Sequence, residues 1–167
     1  MNLLAKLMVA GGVALMAITS ANARENQEVK WDSKSLIING RRVVPVMGEV
    51  HYSRIPADEW EAEVKKMKEG GVTLIATYVF WNHVEEQEGR FRWDGQRDLR
   101  RFLEICKEQD LPVILRIGPF CHGEVRNGGI PDWMFSKGCK LRSQDKVFLS
   151  YADKLYRQIY SQIIGLQ

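Results

Sequence analysis

Three apolar runs alternate with three amphipathic segments in this chain, and this order constrains the fold more than any other feature. Residues 46–52, 72–81 and 111–120 have the pattern of strands, whereas residues 58–69, 98–109 and 145–167 carry apolar side chains at helical spacing. The run at 72–81 is almost unbroken, as is typical of a strand that is covered on both faces of a parallel sheet. The sequence therefore predicts three consecutive βα units.

Two architectures contain such units, the doubly wound open sheet and the (β/α) barrel. No glycine-rich phosphate loop follows any of the three apolar runs, which removes the main support for a nucleotide-binding open sheet. We therefore predict an α/β fold of the (β/α)8 TIM-barrel type, of which this chain supplies the first three βα units. Eight units typically need about 250 residues, so three units cannot close a barrel.

The first 23 residues differ in composition from the rest of the chain. Lys6 is followed by the apolar residues 7–18, and Ala21-Asn22-Ala23 matches an A-x-A cleavage site. The apolar stretch is shorter than the ~20 residues of a membrane-spanning helix. We predict a signal peptide over residues 1–23, export to the periplasm or the cell exterior, and no membrane attachment after cleavage. A membrane anchor is the alternative.

Residues 24–45 form a polar junction and a hairpin before the barrel segment at 46–167. Residues 34–38 and 42–46 flank Asn39-Gly40, a pair that readily adopts the positive φ angles of a tight hairpin turn.

Charge and cysteine content exclude several classes of partner. The 24 basic and 21 acidic residues are scattered along the chain, without the basic run that would follow a phosphate backbone, so no nucleic acid partner is expected. Three cysteines, Cys106, Cys121 and Cys139, include no C-x-x-C pair. Neither a zinc site nor a full disulfide framework is therefore predicted, although one disulfide is possible. Cys106 lies on the apolar stripe of a predicted helix and is expected to be buried.

Ionisable residues occur inside two of the predicted strands. Glu49 lies in the first apolar run and Arg116 in the third. A charged side chain is costly to bury unless it is paired. These two residues are therefore expected either to form an ion pair inside the barrel or to contact a ligand directly.

Polar and aromatic side chains collect where the second and third strands are predicted to end. The βα loops at these ends carry the ligand site of a barrel, because the barrel interior is filled by packed side chains. Aromatic faces suit a sugar ring, and polar groups suit its hydroxyls. The alternatives are a core aromatic cluster at residues 77–83 and a solvated carboxylate at Glu124. The candidate sugar-binding residues are Tyr78, Asn82, His122, Gly123, Glu124 and Trp133.

Several segments, in order, carry a resemblance to a known family. They include Gly48-Glu49-Val50-His51-Tyr52, Thr77-Tyr78-Val79-Phe80-Trp81-Asn82, Leu115-Arg116-Ile117-Gly118-Pro119-Phe120 and Gly128-Gly129-Ile130-Pro131-Asp132-Trp133. Together they resemble the family 35 glycoside hydrolases, the β-galactosidase family, from about Leu36 to the end of the chain.

The resemblance implies an exported, retaining exo-glycosidase that hydrolyses terminal β-galactosyl residues from oligo- or polysaccharides. Tyr78 corresponds to the family tyrosine that hydrogen-bonds the galactose ring substituents, and Glu124 to the glutamate that holds galactose hydroxyls. Two carboxylates suffice for this chemistry, so neither a metal nor an organic cofactor is expected.

The sequence departs from the family in two places. The family usually has Cys-Ala-Glu-Trp where this chain has His122-Gly123-Glu124-Val125, so the loop gains an imidazole and loses an aromatic wall. The family's acid/base glutamate follows the fourth strand and its nucleophile the seventh, so both are expected beyond Gln167 and the chain alone is expected to be inactive. A truncated relic, a sugar-binding module and a barrel glycosidase with another sugar specificity are the alternatives.

Overall fold

The structure, a computed structural model, describes residues 29–166. The predicted signal peptide lies outside the described residues. Within the described range no helix has both the length and the apolar character needed to cross a membrane. The chain divides into two units, one ending at Val43 and one beginning at Val44.

The first unit contains a small antiparallel sheet of three strands, β1 (Val29–Trp31), β2 (Leu36–Ile38) and β3 (Arg41–Val43), in the order β1-β2-β3. Asn39 and Gly40 join β2 to β3 with φ angles of 49° and 77°, as a two-residue hairpin turn requires. The residue pattern around Asn39-Gly40 predicts this hairpin, but no pattern predicts β1. A three-residue strand is too short to produce a periodic pattern.

The second unit contains a parallel sheet of β4 (Met47–Glu49), β5 (Leu74–Tyr78) and β6 (Val113–Arg116), in the order β4-β5-β6. Helix α1 (Trp60–Glu69) connects β4 to β5, and the short helix α2 (Trp81–Val84) follows β5. Helix α3 (Leu99–Glu108) precedes β6, and α4 (Lys146–Ile163) follows it. The strand–helix order is that of the predicted α/β fold, and closure into a barrel stays a prediction.

All three parallel strands are shorter than the apolar runs that predicted them. The run at 72–81 leaves the sheet after Tyr78, where the pairing of β5 with β6 ends. Its last residue, Trp81, begins α2. The run at 111–120 leaves the sheet after Arg116, close to Pro119, which has no N–H for a ladder hydrogen bond. Apolar character continues past the end of β5 because Val79, Phe80 and Trp81 are still buried, whereas Ile117 after β6 is exposed.

Aromatic side chains form the centre of the core between the sheet and the helices. Trp60 of α1 packs against Tyr52 and Phe102, with ring centroids 5.8 Å and 5.7 Å away. The same cluster includes Ile75 of β5 and Leu155 of α4. The face of each helix that the spacing of apolar residues predicts to be buried is therefore the face that packs into the core.

The three cysteines are free, and Cys106 and Cys121 are buried. Burial raises the pKa of the Cys106 thiol to about 12 and that of Cys121 to about 11. Cys106 is therefore the buried apolar residue that the helical pattern predicts, and the possible disulfide is not formed.

Helix α3 begins with a side-chain cap at Asp98, whose carboxylate accepts a hydrogen bond from the Arg101 N–H at 2.9 Å. We expect Asp98→Ala to lower the free energy of unfolding by about 1 kcal/mol, because this N–H loses its partner. Asp98→Ser, which can still cap the helix, should be close to the wild type in urea unfolding. Equal stability of the alanine variant and the wild type would contradict the prediction.

Candidate functional site

An ion pair joins two strands next to a tyrosine. Arg116 of β6 donates from Nη1 to Glu49 Oε1 at 3.1 Å and from Nη2 to Glu49 Oε2 at 2.9 Å. Its guanidinium carbon also lies 4.8 Å from the centroid of the Tyr78 ring, since Tyr78 and Arg116 are paired across β5 and β6. The predicted Glu–Arg pair is therefore present, but both side chains are partly exposed, Arg116 by 30% and Glu49 by 39%.

Aromatic rings surround Tyr78 at the carboxyl ends of β4 and β5. The His51 ring lies 5.6 Å from Tyr78 and 5.3 Å from Phe80, and Tyr78 itself is only 8% exposed. Burial, and next the Arg54 charge, hold the pKa of His51 below its ordinary value. The imidazole is therefore neutral near pH 7, with Nε2 3.6 Å from Glu49 Oε1.

The loop after β6 packs onto these rings. Cys121 forms a buried cluster with Tyr78 and Phe80, and Val125 packs against it. A Cβ added at Gly123 would lie 2.9 Å from Phe80 Cε1, so only glycine lets the loop approach the ring this closely. The predicted residues Tyr78 and Gly123 thus both pack against Phe80, and Glu124 follows Gly123 in the same loop.

Glu124 and His122 both lie on the surface of this loop but differ in their surroundings. Glu124 is exposed and has a φ angle of 47°. The exposed His122 ring lies edge-on to Phe120, with the centroids 4.9 Å apart. Arg142 lies over the same Phe120 ring at 3.8 Å, beside an open groove of about 550 Å³. The structure therefore associates His122 with Phe120 and Arg142 rather than with Tyr78.

The other two predicted residues stabilise the fold around the loop. Asn82 donates from Nδ2 to the Arg126 carbonyl at 3.3 Å. Trp133 donates from Nε1 to the Glu85 carbonyl at 3.0 Å and packs against Trp81 and Tyr151. The contacts of Trp133 therefore lie in the main core, and its role as a sugar platform stays a prediction.

Sequence reasoning did not single out His51, Arg54, Phe80 or Glu85. The two-residue period of strands could have placed His51 on the face of Glu49 and Phe80 on the face of Tyr78. Arg54 and Glu85 gave no such signal. Their contacts, to residues 123–124 and to Trp133 respectively, join positions far apart in sequence.

The arrangement suits the binding of a polyhydroxylated ligand. Tyr78, the Arg116–Glu49 pair and the loop that carries Glu124 adjoin the His51 and Phe80 rings, so polar groups for hydroxyls and aromatic faces for an apolar ring occur in one region. No group of three or more His, Cys, Asp or Glu side chains among residues 29–166 could hold a metal ion. The side chains around Tyr78 can therefore bind a ligand directly.

Comparison with a solved structure supports the fold. An exo-β-1,4-mannosidase, Op5Man5 from Opitutaceae bacterium strain TAV5, matches with a TM-score of 0.53 over 75% of this chain and 23% of that protein. The two sequences are 19% identical, so the likeness concerns the fold alone.

Curated relatives and a family model agree on the family. β-Galactosidase 11 of Arabidopsis thaliana is 37% identical over 139 residues, which is 83% of this chain and 16% of the relative. β-Galactosidase 12 of Oryza sativa subsp. japonica is 38% identical over 136 residues, 81% of this chain and 15% of the relative. The chain thus spans about one sixth of the length of these relatives. Residues 35–167 match the model of glycosyl hydrolases family 35, and the chain therefore belongs to that family.

Proposed function

We propose that this chain is the N-terminal part of an exported, retaining exo-glycosidase that releases terminal β-galactosyl residues from oligo- or polysaccharides. The observation that carries the proposal is the packing of the 121–125 loop onto Tyr78 and Phe80 at the carboxyl ends of parallel strands. The family resemblance assigns galactose binding to Tyr78 and Glu124, and the packing of the loop that carries Glu124 onto Tyr78 supports this assignment. The β-galactosidase names of the relatives agree with this substrate class.

The proposal includes a TIM barrel of which β4, β5 and β6 are the first three strands. Both outer strands carry partly exposed apolar side chains, Met47 of β4 and Ile114 of β6, each 48% exposed. Further strands and helices would cover this apolar surface and remove the unpaired strand edges. Export rests on the signal-peptide pattern of residues 1–23.

The chemistry of a retaining glycosidase needs two carboxyl groups about 5–5.5 Å apart, one acting as the acid and base and the other as the nucleophile. Glu49 is engaged by Arg116 through both carboxylate oxygens, so it is poorly suited to attack a sugar. Glu124 is assigned to binding. In the proposal the two catalytic glutamates come from later strands of the barrel, and the 167-residue chain alone has no glycosidase activity.

The proposal is tested by kinetics on the catalytic domain that contains this sequence. We expect Glu124→Ala to lower kcat/KM on a β-galactoside by about one to two orders of magnitude, because a hydrogen bond to a charged group stabilises the bound sugar. Tyr78→Phe should cost less, since it removes a neutral donor. Glu61→Ala, which changes an exposed glutamate of α1, serves as the matched control.

Two comparisons separate the alternatives. Losses that are larger on a β-galactoside than on a β-glucoside would support a galactose-reading role, whereas equal losses would remove Glu124 as the specificity determinant. An unchanged kcat/KM for Glu124→Ala would remove it from the site. Turnover of a chromogenic β-galactoside by the 167-residue chain, abolished by Glu124→Gln, would show that Glu124 is catalytic and that the binding assignment is wrong.

A further inference from the structure

The guanidinium of Arg54 joins the segment after β4 to the loop after β6. A single nitrogen, Nη2, donates to the Gly123 carbonyl in a short hydrogen bond and to the Glu124 carbonyl at 3.1 Å. Among the described residues Arg54 has no carboxylate within ion-pair distance. Its charge is therefore directed at two consecutive backbone carbonyls of the loop that carries Glu124.

The position of Arg54 is fixed by its packing as well as by its hydrogen bonds. Its guanidinium carbon lies 4.8 Å from the centroid of the Phe80 ring. Gly123 packs closely against the same ring, since an added Cβ would lie 2.9 Å from Phe80 Cε1 and 3.1 Å from Cζ. Phe80 thus supports both the guanidinium and the loop that the guanidinium holds.

The backbone at Glu124 requires such a restraint. Its φ angle of 47° lies in the left-handed region, which a glutamate adopts only when surrounding contacts impose it. The loop is closed on itself by hydrogen bonds from Cys121 N–H to Gly128 O at 2.7 Å and from Gly128 N–H to Val125 O at 3.0 Å. Arg54, which lies outside the loop, donates the bonds to the carbonyls of residues 123 and 124.

We propose that Arg54 is a positioning residue, which holds the Glu124 backbone in its left-handed conformation and so sets the direction of the Glu124 carboxylate toward the terminal sugar. This inference rests on the proposed function of Glu124. Arginine suits the task because its planar, always charged guanidinium stacks on an aromatic face while it donates in-plane, which a lysine ammonium cannot reproduce.

The first test needs no sugar and is made on the catalytic domain that contains this chain. Amide hydrogen exchange of Cys121 and Gly128 should become about ten-fold faster in Arg54→Met, because the loop opens more often when one side is released. Arg54→Lys keeps the charge and should give an intermediate rate. Arg90→Met is the matched control, since Arg90 is an exposed arginine whose side chain bonds to Gln87. Unchanged exchange in both Arg54 variants would overturn the proposal.

The second test is a double-mutant cycle with Glu124. Arg54→Met should lower kcat/KM on a β-galactoside about ten-fold in the wild-type background, and should add little to Glu124→Ala, because it acts through that residue. A merely destabilising effect would be additive, and additivity would overturn the proposal. If Arg54→Met does not fold, Arg54→Lys takes its place in the double-mutant cycle. If Glu124→Ala itself has no effect on kcat/KM, the proposed function fails, and the exchange rates then decide separately whether Arg54 holds the loop.

Discussion

Replacing Trp60 by alanine is expected to lower the free energy of unfolding by about 3–5 kcal/mol, the range for removing a large aromatic side chain from a packed core. Trp60 is fully buried and packs edge-on against the rings of both Tyr52 and Phe102. Its indole N–H also donates to the carbonyls of Tyr52 at 2.9 Å and Ile55 at 3.1 Å. The substitution therefore creates a cavity and removes the indole donor from both carbonyls.

The measurement is urea unfolding followed by far-UV circular dichroism, because a tryptophan fluorescence signal would itself change. Trp31→Ala is the matched control, since Trp31 is 79% exposed and its loss should change the free energy of unfolding by less than about 0.5 kcal/mol. Similar losses for the two variants would show that Trp60 does not occupy the centre of the core.

The second large effect is expected at Glu85, a carboxylate that is only 3% exposed. It accepts hydrogen bonds from Trp81 Nε1 at 2.6 Å and from the Gly89 N–H at 2.7 Å. Glu85→Ala leaves the buried Trp81 N–H without an acceptor and removes the bond from the exposed Gly89. It should lower the free energy of unfolding by about 1–3 kcal/mol, the cost of one unsatisfied buried group. Glu61→Ala in urea unfolding is the control, and an equally small loss at Glu85 would contradict the prediction.

The stability contributed by Glu85 should also depend on pH. Burial raises the pKa of Glu85 above its ordinary value of 4.5, although the bonds from Trp81 and Gly89 oppose the shift. The folded protein therefore binds the proton more tightly than the unfolded chain does. The contribution of this group is fully present below the unfolded pKa and is lost as pH rises through the raised folded value.

Glu85→Gln, which cannot ionise, isolates this pH dependence. The difference in free energy of unfolding between the wild type and Glu85→Gln should fall as the pH increases from about 4.5 toward about 7. Urea unfolding of both proteins at a series of pH values measures this difference. A difference that stays constant, or that grows with pH, would mean that hydrogen bonding rather than burial controls the ionisation of Glu85.

Local patterns were sufficient wherever a residue and its partners lie within one element. The spacing of apolar residues predicted α1, α3 and α4, because one side of each helix must be buried whatever it packs against. Asn39-Gly40 predicted a turn for a similar reason, since few residue pairs accept two positive φ angles. The Glu49–Arg116 pair is one of the two long-range roles expected for these residues, because a charge within a strand has few ways to be satisfied, and the structure contains it.

Residues whose contacts come from distant segments could not be assigned in this way. The sequence shows Trp133 as a loop aromatic that could contact a sugar, and the structure adds its contacts with the Glu85 carbonyl and the Tyr151 ring. Arg54 was not singled out from the sequence, since the two carbonyls it donates to lie some seventy positions further along the chain. The sequence by itself determined the α/β order, the helix faces and the family. Only the tertiary structure decided which polar and aromatic groups meet at the strand ends, because that choice depends on how far each strand extends before its chain turns away from the sheet.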